Sequence, residues 1–242
     1  MKKKIKLFLL WLSSLLYHNK KSKVLYYHDI YSEVKYTDMG TSISLFEKHI
    51  QTIRKSGFKI TKKISKAEGE VMICFDDGFR GIYDTKDFFI KEGLRPTVFL
   101  AVDLIGKPGF LNKKEILELQ EAGFIFQCHA WSHRDLTSFT KEELKRELFD
   151  SKNKLTELLG KSVDEICFPI GYFSKLVLDE CKRYGYNIMY SSIPGNHKDF
   201  LFIDGLYTRN LLQCADEKEC RFILHGGNEI IKERYLKMHW KR

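Results

Sequence analysis

This 242-residue sequence predicts an α/β domain with parallel strands, and three observations support that prediction. Short apolar runs of strand length alternate with longer amphipathic segments of helical period. The runs are apolar throughout, as expected of strands covered on both faces. Hydrophobic residues make up 43% of the chain, enough for a sizeable core. The composition excludes a disordered chain, a collagen-like repeat and a polytopic membrane protein, and no repeat of solenoid length is visible.

Residues 23–29 (KVLYYHD) read as the first strand, and 44–57 as a helix ending at Gly57. Residues 71–75 (VMICF) are a strand stopped by Asp76-Asp77-Gly78, and 81–93 form a helix capped by Gly93. A strand at 97–102 precedes a helix over 113–122. The next strand, 124–128, runs into His129-Ala130-Trp131-Ser132-His133 and a long helix over 141–159. A strand at 165–168, a helix at 175–184 and a strand at 186–192 complete the series. Six or seven such units either close into a barrel or form an open doubly wound sheet. Both arrangements bind ligands at the carboxyl ends of the strands. No composition shift divides 23–242, which reads as one domain behind an N-terminal segment, 1–22.

The formal net charge is +9, but residues 1–23 hold seven lysines and no acid, which leaves +2 for the rest. The body therefore lacks a basic face, and no nucleic-acid partner is expected. Residues 5–17 are apolar between lysines. As a helix they reach roughly 20 Å, short of the ~20 residues that span a bilayer. The segment reads in three ways. It is an amphipathic helix in the surface of an anionic membrane, with Ile5, Phe8, Leu9, Leu12, Leu15 and Leu16 as its stripe; an uncleaved signal or anchor; or a helix packed on its own domain. Six cysteines without a C-x-x-C pair read as free thiols of a reducing compartment. The expected location is cytoplasmic, peripheral to the inner membrane, with an exported chain on an uncleaved anchor as the alternative.

Three strand ends converge on one rim. Gly78 permits a turn after the strand, so that Asp76 and Asp77 both reach one pocket, although Asp-Asp-Gly also suits an Asx turn or helix cap. The i, i+4 spacing of His129 and His133 lets two imidazoles meet one metal. With a strand-end aspartate they make a two-histidine, one-carboxylate set with open positions, suited to zinc, iron, cobalt or nickel. A water of lowered pKa becomes the nucleophile there, and the spare carboxylate takes its proton.

FDDG (75–78), HAWSH (129–133) and FPIG (168–171) together resemble motifs one to three of the polysaccharide deacetylases, the NodB-homology or carbohydrate esterase family 4 enzymes. The resemblance spans roughly residues 24–210, and VLYYHD resembles the opening strand of the branch containing poly-N-acetylglucosamine deacetylases. It implies a distorted (β/α) barrel that removes acetyl groups from N-acetylated sugars with a divalent metal, zinc first. It also implies Asp76 as general base, Asp77, His129 and His133 as metal ligands, and the Ile170 N–H as oxyanion donor.

The sequence departs from the family pattern at several places. Ala130 stands where motif two has Ser or Thr, and the arginine of motif three falls on Cys167. Arg209 is the candidate to orient the base in its place. His225 in FILHGG matches the motif-five histidine by letters, as general acid, yet DEKECRFILHGG also reads as a helix from Asp216 capped by Gly226-Gly227. His28 is the fallback pocket histidine. His18, His49, His197 and His239 read as surface residues. Trp131, Tyr172 and Phe173 stand beside the motifs as sugar-stacking candidates, with core packing the simpler role. The tail KERYLKMHWKR is either a membrane-attracted segment or a solvated helix face.

The resulting expectation is an N-deacetylase (or N-deformylase) of an amino sugar in a glycan or lipid-linked saccharide, similar to enzymes acting on undecaprenyl-phosphate sugars. The alternatives are a soluble or exported chito-oligosaccharide substrate and a non-catalytic carbohydrate-binding protein. A glycosidase fits poorly, because its paired acids flank a bond ~5–9 Å apart rather than share one turn.

Overall fold

Eight short parallel strands form one continuous path: β1 (Lys23–Tyr27), β2 (Glu70–Phe75), β3 (Thr97–Leu100), β4 (Ile125–Cys128), β5 (Glu165–Cys167), β6 (Ile188–Tyr190), β7 (Leu206–Tyr207) and β8 (Asn210–Leu211). This is a computed structural model, describing residues 2–200 and 203–241. Met1 and Arg242, the outer limits of the 1–22 and 23–242 division, lie outside the described residues.

Hydrogen-bonded neighbours run β7-β6-β5-β4-β3-β2-β1-β8, and a flanking strand, Lys59–Thr61, pairs with β2. The two ends of this path are joined through only Thr208 and Arg209. Three Cα steps reach at most about 11 Å, so the sheet must curl until its ends meet. The distorted (β/α) barrel implied by the resemblance is the fold observed.

Alternation along the strands sorts the core into two faces. Val24, Tyr26, Met72, Cys74, Phe99, Cys167 and Tyr190 plug the barrel. Leu25, Tyr27, Val71, Ile73 and Phe75 instead face the helical layer, where Phe46, Ile50 and Phe89 cover them. Among the described residues, the helices of eight residues or more are α1 (Lys2–Leu16), α2 (Ile43–Lys55), α3 (Lys113–Glu121), α4 (the run 141–159), α5 (Lys175–Arg183), α6 (Glu217–Leu224) and α7 (Lys232–His239).

Three differences from the sequence reading have local causes. The helix expected over 81–93 breaks at Thr85, whose hydroxyl donates to the Gly81 carbonyl and separates Gly81–Asp84 from Lys86–Lys91. Within α4, residues Lys145–Asp150 form a π-helical turn. The strand series continues to 211, because two-residue strands carry no period to detect. Five cysteines are buried, Cys214 is exposed, and all six are free thiols.

Candidate active site

The alternation that turns Tyr26, Met72 and Cys74 into the barrel also turns Asp76 inward. Its partner is Arg209, on the two-residue bridge that closes the barrel. The guanidinium meets both Asp76 oxygens, at 2.6 and 2.9 Å, and its Nε donates to the Ser191 carbonyl. Arg209 is completely buried over the Tyr26 ring, 4.2 Å from its centroid. Burial pushes the Asp76 carboxyl up, but the guanidinium outweighs it and holds the group below the usual carboxylate range. Cys167, at the position of the missing motif arginine, sets its thiol 3.6 Å from Asp76 Oδ2.

Asp77 would point outward if the strand continued. Its own backbone turns it back, with φ +70°, so the change of face begins one residue before Gly78. Asp77 Oδ1 lies 3.2 Å from His129 Nε2 and 2.8 Å from His133 Nε2. Burial alone would raise this carboxyl, yet the two imidazoles hold it far below the usual range. His129 Nδ1 donates to the Cys167 carbonyl at 2.8 Å, which fixes the tautomer and frees Nε2. The three donor atoms lie within 4.8 Å of one another, and Asp77 Oδ1 is buried with no aligned hydrogen bond. An orphaned carboxylate oxygen facing two available imidazole nitrogens fits a divalent cation. Asp76, His129 and Cys167 are equally close together. In that set the carboxylate belongs to Arg209, and burial keeps the thiol protonated, so it fits a cation less well.

Among the described residues, the non-glycine residues with positive φ are Asp77, Ala130, His133 and Ile170, and all four are at this site. Backbone in that region is strained for side chains with a Cβ and persists where surroundings impose it. For the histidine loop, the constraint comes from Glu147 in the π-helical turn of α4. One buried oxygen, Oε2, accepts from the N–H groups of Trp131 and Ser132, at 3.1 and 3.0 Å. Cys128 Sγ accepts from Ala130 N–H. Ile170 (φ +61°) is exposed; the turn's own hydrogen bond runs from Gly171 N to Phe168 O, and among the described residues the Ile170 N–H has no partner.

The cleft over these groups has a volume of about 290 Å³ and is lined also by Tyr26, His28, Met39, Phe168, Tyr235 and His239. His28 is held there by Gln213, at 2.7 Å. The sugar-stacking candidates Trp131, Tyr172 and Phe173 are not among the lining residues, and Phe173 is core.

Three histidine expectations need correction. His225 is not brought to this site. Asp216 caps α6 with both its side chain and a capping box, so FILHGG finishes a helix rather than a strand. That carries His225 to the opposite end of the barrel, stacked on His18 and bonded to Asn19 O. His239, expected at the surface, is buried in the cleft instead. Trp240–Lys241 pairs with Phe173–Ser174 and draws the tail across the rim. His239 Nδ1 donates to the Gly171 carbonyl at 2.9 Å. A Cβ at Gly171 would sit 2.9 Å from that nitrogen and 2.5 Å from Ser192 Oγ, so only glycine fits. His49 is buried as well, between Tyr27 OH and Ala215 O. Glu147 carries no sequence signal, because it lies in an ordinary helical pattern.

The profile of the polysaccharide deacetylase family matches residues 63–189, more than half the chain. The Bacillus subtilis protein YxkH is 25% identical over 190 residues, 72% of this chain and 66% of its own length. Peptidoglycan-N-acetylmuramic acid deacetylase PdaA of Bacillus subtilis is 28% identical over 130 residues, 52% of this chain and 48% of its own. The chain thus spans between about half and two thirds of these curated relatives. The Streptococcus pyogenes deacetylase PplD, solved with acetate, shares the fold with a TM-score of 0.71 at 20% identity, over 82% of this chain and 96% of that one. By the family profile, this chain belongs to the polysaccharide deacetylase family.

Proposed function

We propose that this protein hydrolyses the N-acetyl group of an amino sugar in a glycan, with a divalent metal, zinc first. The observation that carries the reading is a convergence in one cleft: an Asp77-His129-His133 ligand set, a carboxylate kept ionised by a buried arginine, and a backbone N–H that no described residue engages. Asp77, His129 and His133 would hold the cation, which when bound supplies Lewis acidity toward water and the amide carbonyl. Asp76 takes the proton of the attacking water, and Arg209 fixes both of its oxygens for that transfer. The Ile170 N–H donates to the carbonyl oxygen as charge develops on it. His239 replaces His225 as the donor to the leaving amine. Its Nδ1 is committed to Gly171 O, so Nε2 carries the mobile proton. Burial lowers its pKa, so an imidazolium there releases its proton readily.

The exposed apolar side chains of α1 and the unpaired cysteines support a glycan at the cytoplasmic face of a membrane, lipid-linked or still growing, over a soluble or exported oligomer. Mass spectrometry of zinc- or cobalt-loaded enzyme, with undecaprenyl-phosphate N-acetylhexosamines and chito-oligomers, tests both points. Loss of one acetyl mass with wild type but not Asp76→Asn is expected, fastest on the lipid-linked sugar. Bound metal without acetyl loss from any substrate would favour a carbohydrate-binding protein.

A further inference from the structure

Helix α1 is amphipathic, but it is docked the wrong way round for a helix that stabilises its own domain. Its polar side faces the barrel. Lys3 pairs with Asp216 at 3.4 Å and Lys6 with Glu219 at 3.1 Å. Ser13, fully buried, donates to the Gly226 carbonyl and accepts from Ile230 N. Leu10 is the one large apolar side chain of α1 that is buried. At 100° per residue, Ile5, Phe8, Leu9, Leu15 and Leu16 fall on the opposite side, with Trp11 at its edge. Their exposures run from 40% to 66%. A surface helix normally buries such a stripe, and a contiguous exposed apolar patch marks an interaction site.

We infer that the outward face of α1 is a docking surface for an anionic lipid bilayer, with the helix lying flat in the headgroup region while still attached to the barrel. Charge selects this occupant. Lysines flank the apolar stripe on both sides, Lys4 before it and Lys20 and Lys21 after it, and no acid occurs in residues 1–23. Anionic headgroups complement that arrangement. A second copy packed on the same face would bring two all-lysine segments together, in either relative direction, and like charges would oppose it. No described helix is long and apolar enough to cross a membrane. Fifteen residues of α1 reach about 22 Å, against a hydrocarbon core of ~30 Å.

The docking contacts also set the orientation. Lys3 meets the start of α6, just past Gln213, which holds His28 in the cleft. Ser13 meets Gly226, at the other end of α6. Helix α1 therefore runs along the side of the barrel, and a bilayer beneath it lies beside the cleft mouth rather than across it. A headgroup-borne chain can then enter the cleft from the side.

The test uses the full chain and vesicles of phosphatidylcholine with or without 30% phosphatidylglycerol. Sedimentation is expected to show at least tenfold tighter binding to the anionic vesicles, weakened by 0.5 M NaCl. The Phe8→Glu/Leu15→Glu variant, changed at two exposed positions, should lose at least tenfold in binding with an unchanged melting temperature. Trp11 emission should shift to the blue on binding and be quenched by brominated lipid, with Trp11→Phe as the reference for Trp131 and Trp240. Vesicle binding that ignores the double substitution would overturn the inference. So would a dimer whose Trp11 emission is already blue-shifted without lipid, which would assign the face to a second copy. None of these readouts involves deacetylation, so the catalytic reading stands or falls separately.

Discussion

Two pairs of histidine rings lie with centroids 5.0 Å apart in this molecule, His129 with His133 and His18 with His225. The first pair faces a buried carboxylate oxygen between its Nε2 atoms, and each member is held by backbone that something else constrains. The second pair is a stacked contact at 8° between a loop and a helix end, and the charges that reach His225 are those of His18 and two lysines. Separation alone does not make a metal site. What distinguishes the first pair is an orphaned acceptor and strained, over-determined backbone around it. The clearest way to break this comparison is to change its parts one at a time.

The largest effect is expected at Asp76. Asp76→Asn should lower kcat by about 10³-fold, within the range for removing a general base, while metal content by elemental analysis stays at the wild-type level. The variant also leaves Arg209 buried beside a neutral amide. A loss of stability up to about 3 kcal/mol is therefore expected in denaturant unfolding, and activity should be read well below the melting temperature. A variant that retained turnover would end the assignment of Asp76 as base.

His133→Ala should lose metal and turnover together, whereas His225→Ala should keep kcat within about twofold, because no carboxylate faces His225. The reverse result would mean that the pairs have been told apart wrongly. His239→Gln should then cost about 10²-fold in kcat with metal retained. The pH profile adds the sign. A proton donor must be charged to act, so its rate falls as pH rises through its pKa. Burial lowers that pKa below 6.5, so the basic limb belonging to His239 should begin below the ordinary histidine range and vanish in the variant.

Glu147→Gln sharpens the comparison at one remove from the metal. Loss of the carboxylate that anchors the Trp131 and Ser132 amides should weaken metal affinity by roughly tenfold or more, read by calorimetric titration of the apoprotein. An unchanged affinity would mean that the positive-φ loop holds its shape without Glu147. The sequence shows only that Ala130 lacks the hydroxyl the family motif usually supplies. It cannot show that a carboxylate 17 residues later substitutes for it.

The same contrast separates what the sequence makes legible from what it does not. The strand series, and the carboxyl-end rule applied to it, bring Asp76, Asp77, His129, His133 and Ile170 onto one rim, because each lies within five residues of the end of an apolar run. Arg209 is legible only through the family resemblance. Its position depends on a barrel closing over two residues, and no local pattern announces that. The letters leave His225 open, since FILHGG reads either as a strand end or as the end of a helix from Asp216, and His239 is misplaced for a separate reason. FILHGG is apolar enough for a strand, but the capping box at Asp216 makes it a helix end. The basic tail reads as a membrane-attracted segment or a solvated helix face, and a two-residue pairing with Phe173–Ser174 instead folds it across the cleft.

The smallest effect concerns His49, a buried histidine with neither a metal nor a cleft. Its Nε2 donates to the Ala215 carbonyl at 2.7 Å and its Nδ1 faces Tyr27 OH at 3.0 Å, so the neutral ring is fully used. Burial lowers its pKa. The Ala215 carbonyl and the carboxylates of Glu217, Asp216 and Glu219 pull it upward without offsetting the burial. In the unfolded chain the ring takes up a proton near pH 6.5, whereas in the folded chain it resists one. Protonation therefore favours unfolding, and the stability His49 contributes is present above pH 6.5 and lost as pH falls toward its folded value. At pH 7.5, His49→Gln should destabilise by about 1–3 kcal/mol, the cost of leaving buried partners unmatched, with kcat essentially unchanged. As pH is lowered toward 5, wild type loses the His49 contribution while the variant has none to lose, so the gap between their unfolding free energies should narrow. A gap that widened would mean that His49 is charged in the fold, and that the Asp216, Glu217 and Glu219 carboxylates act on it as Asp77 acts on His133.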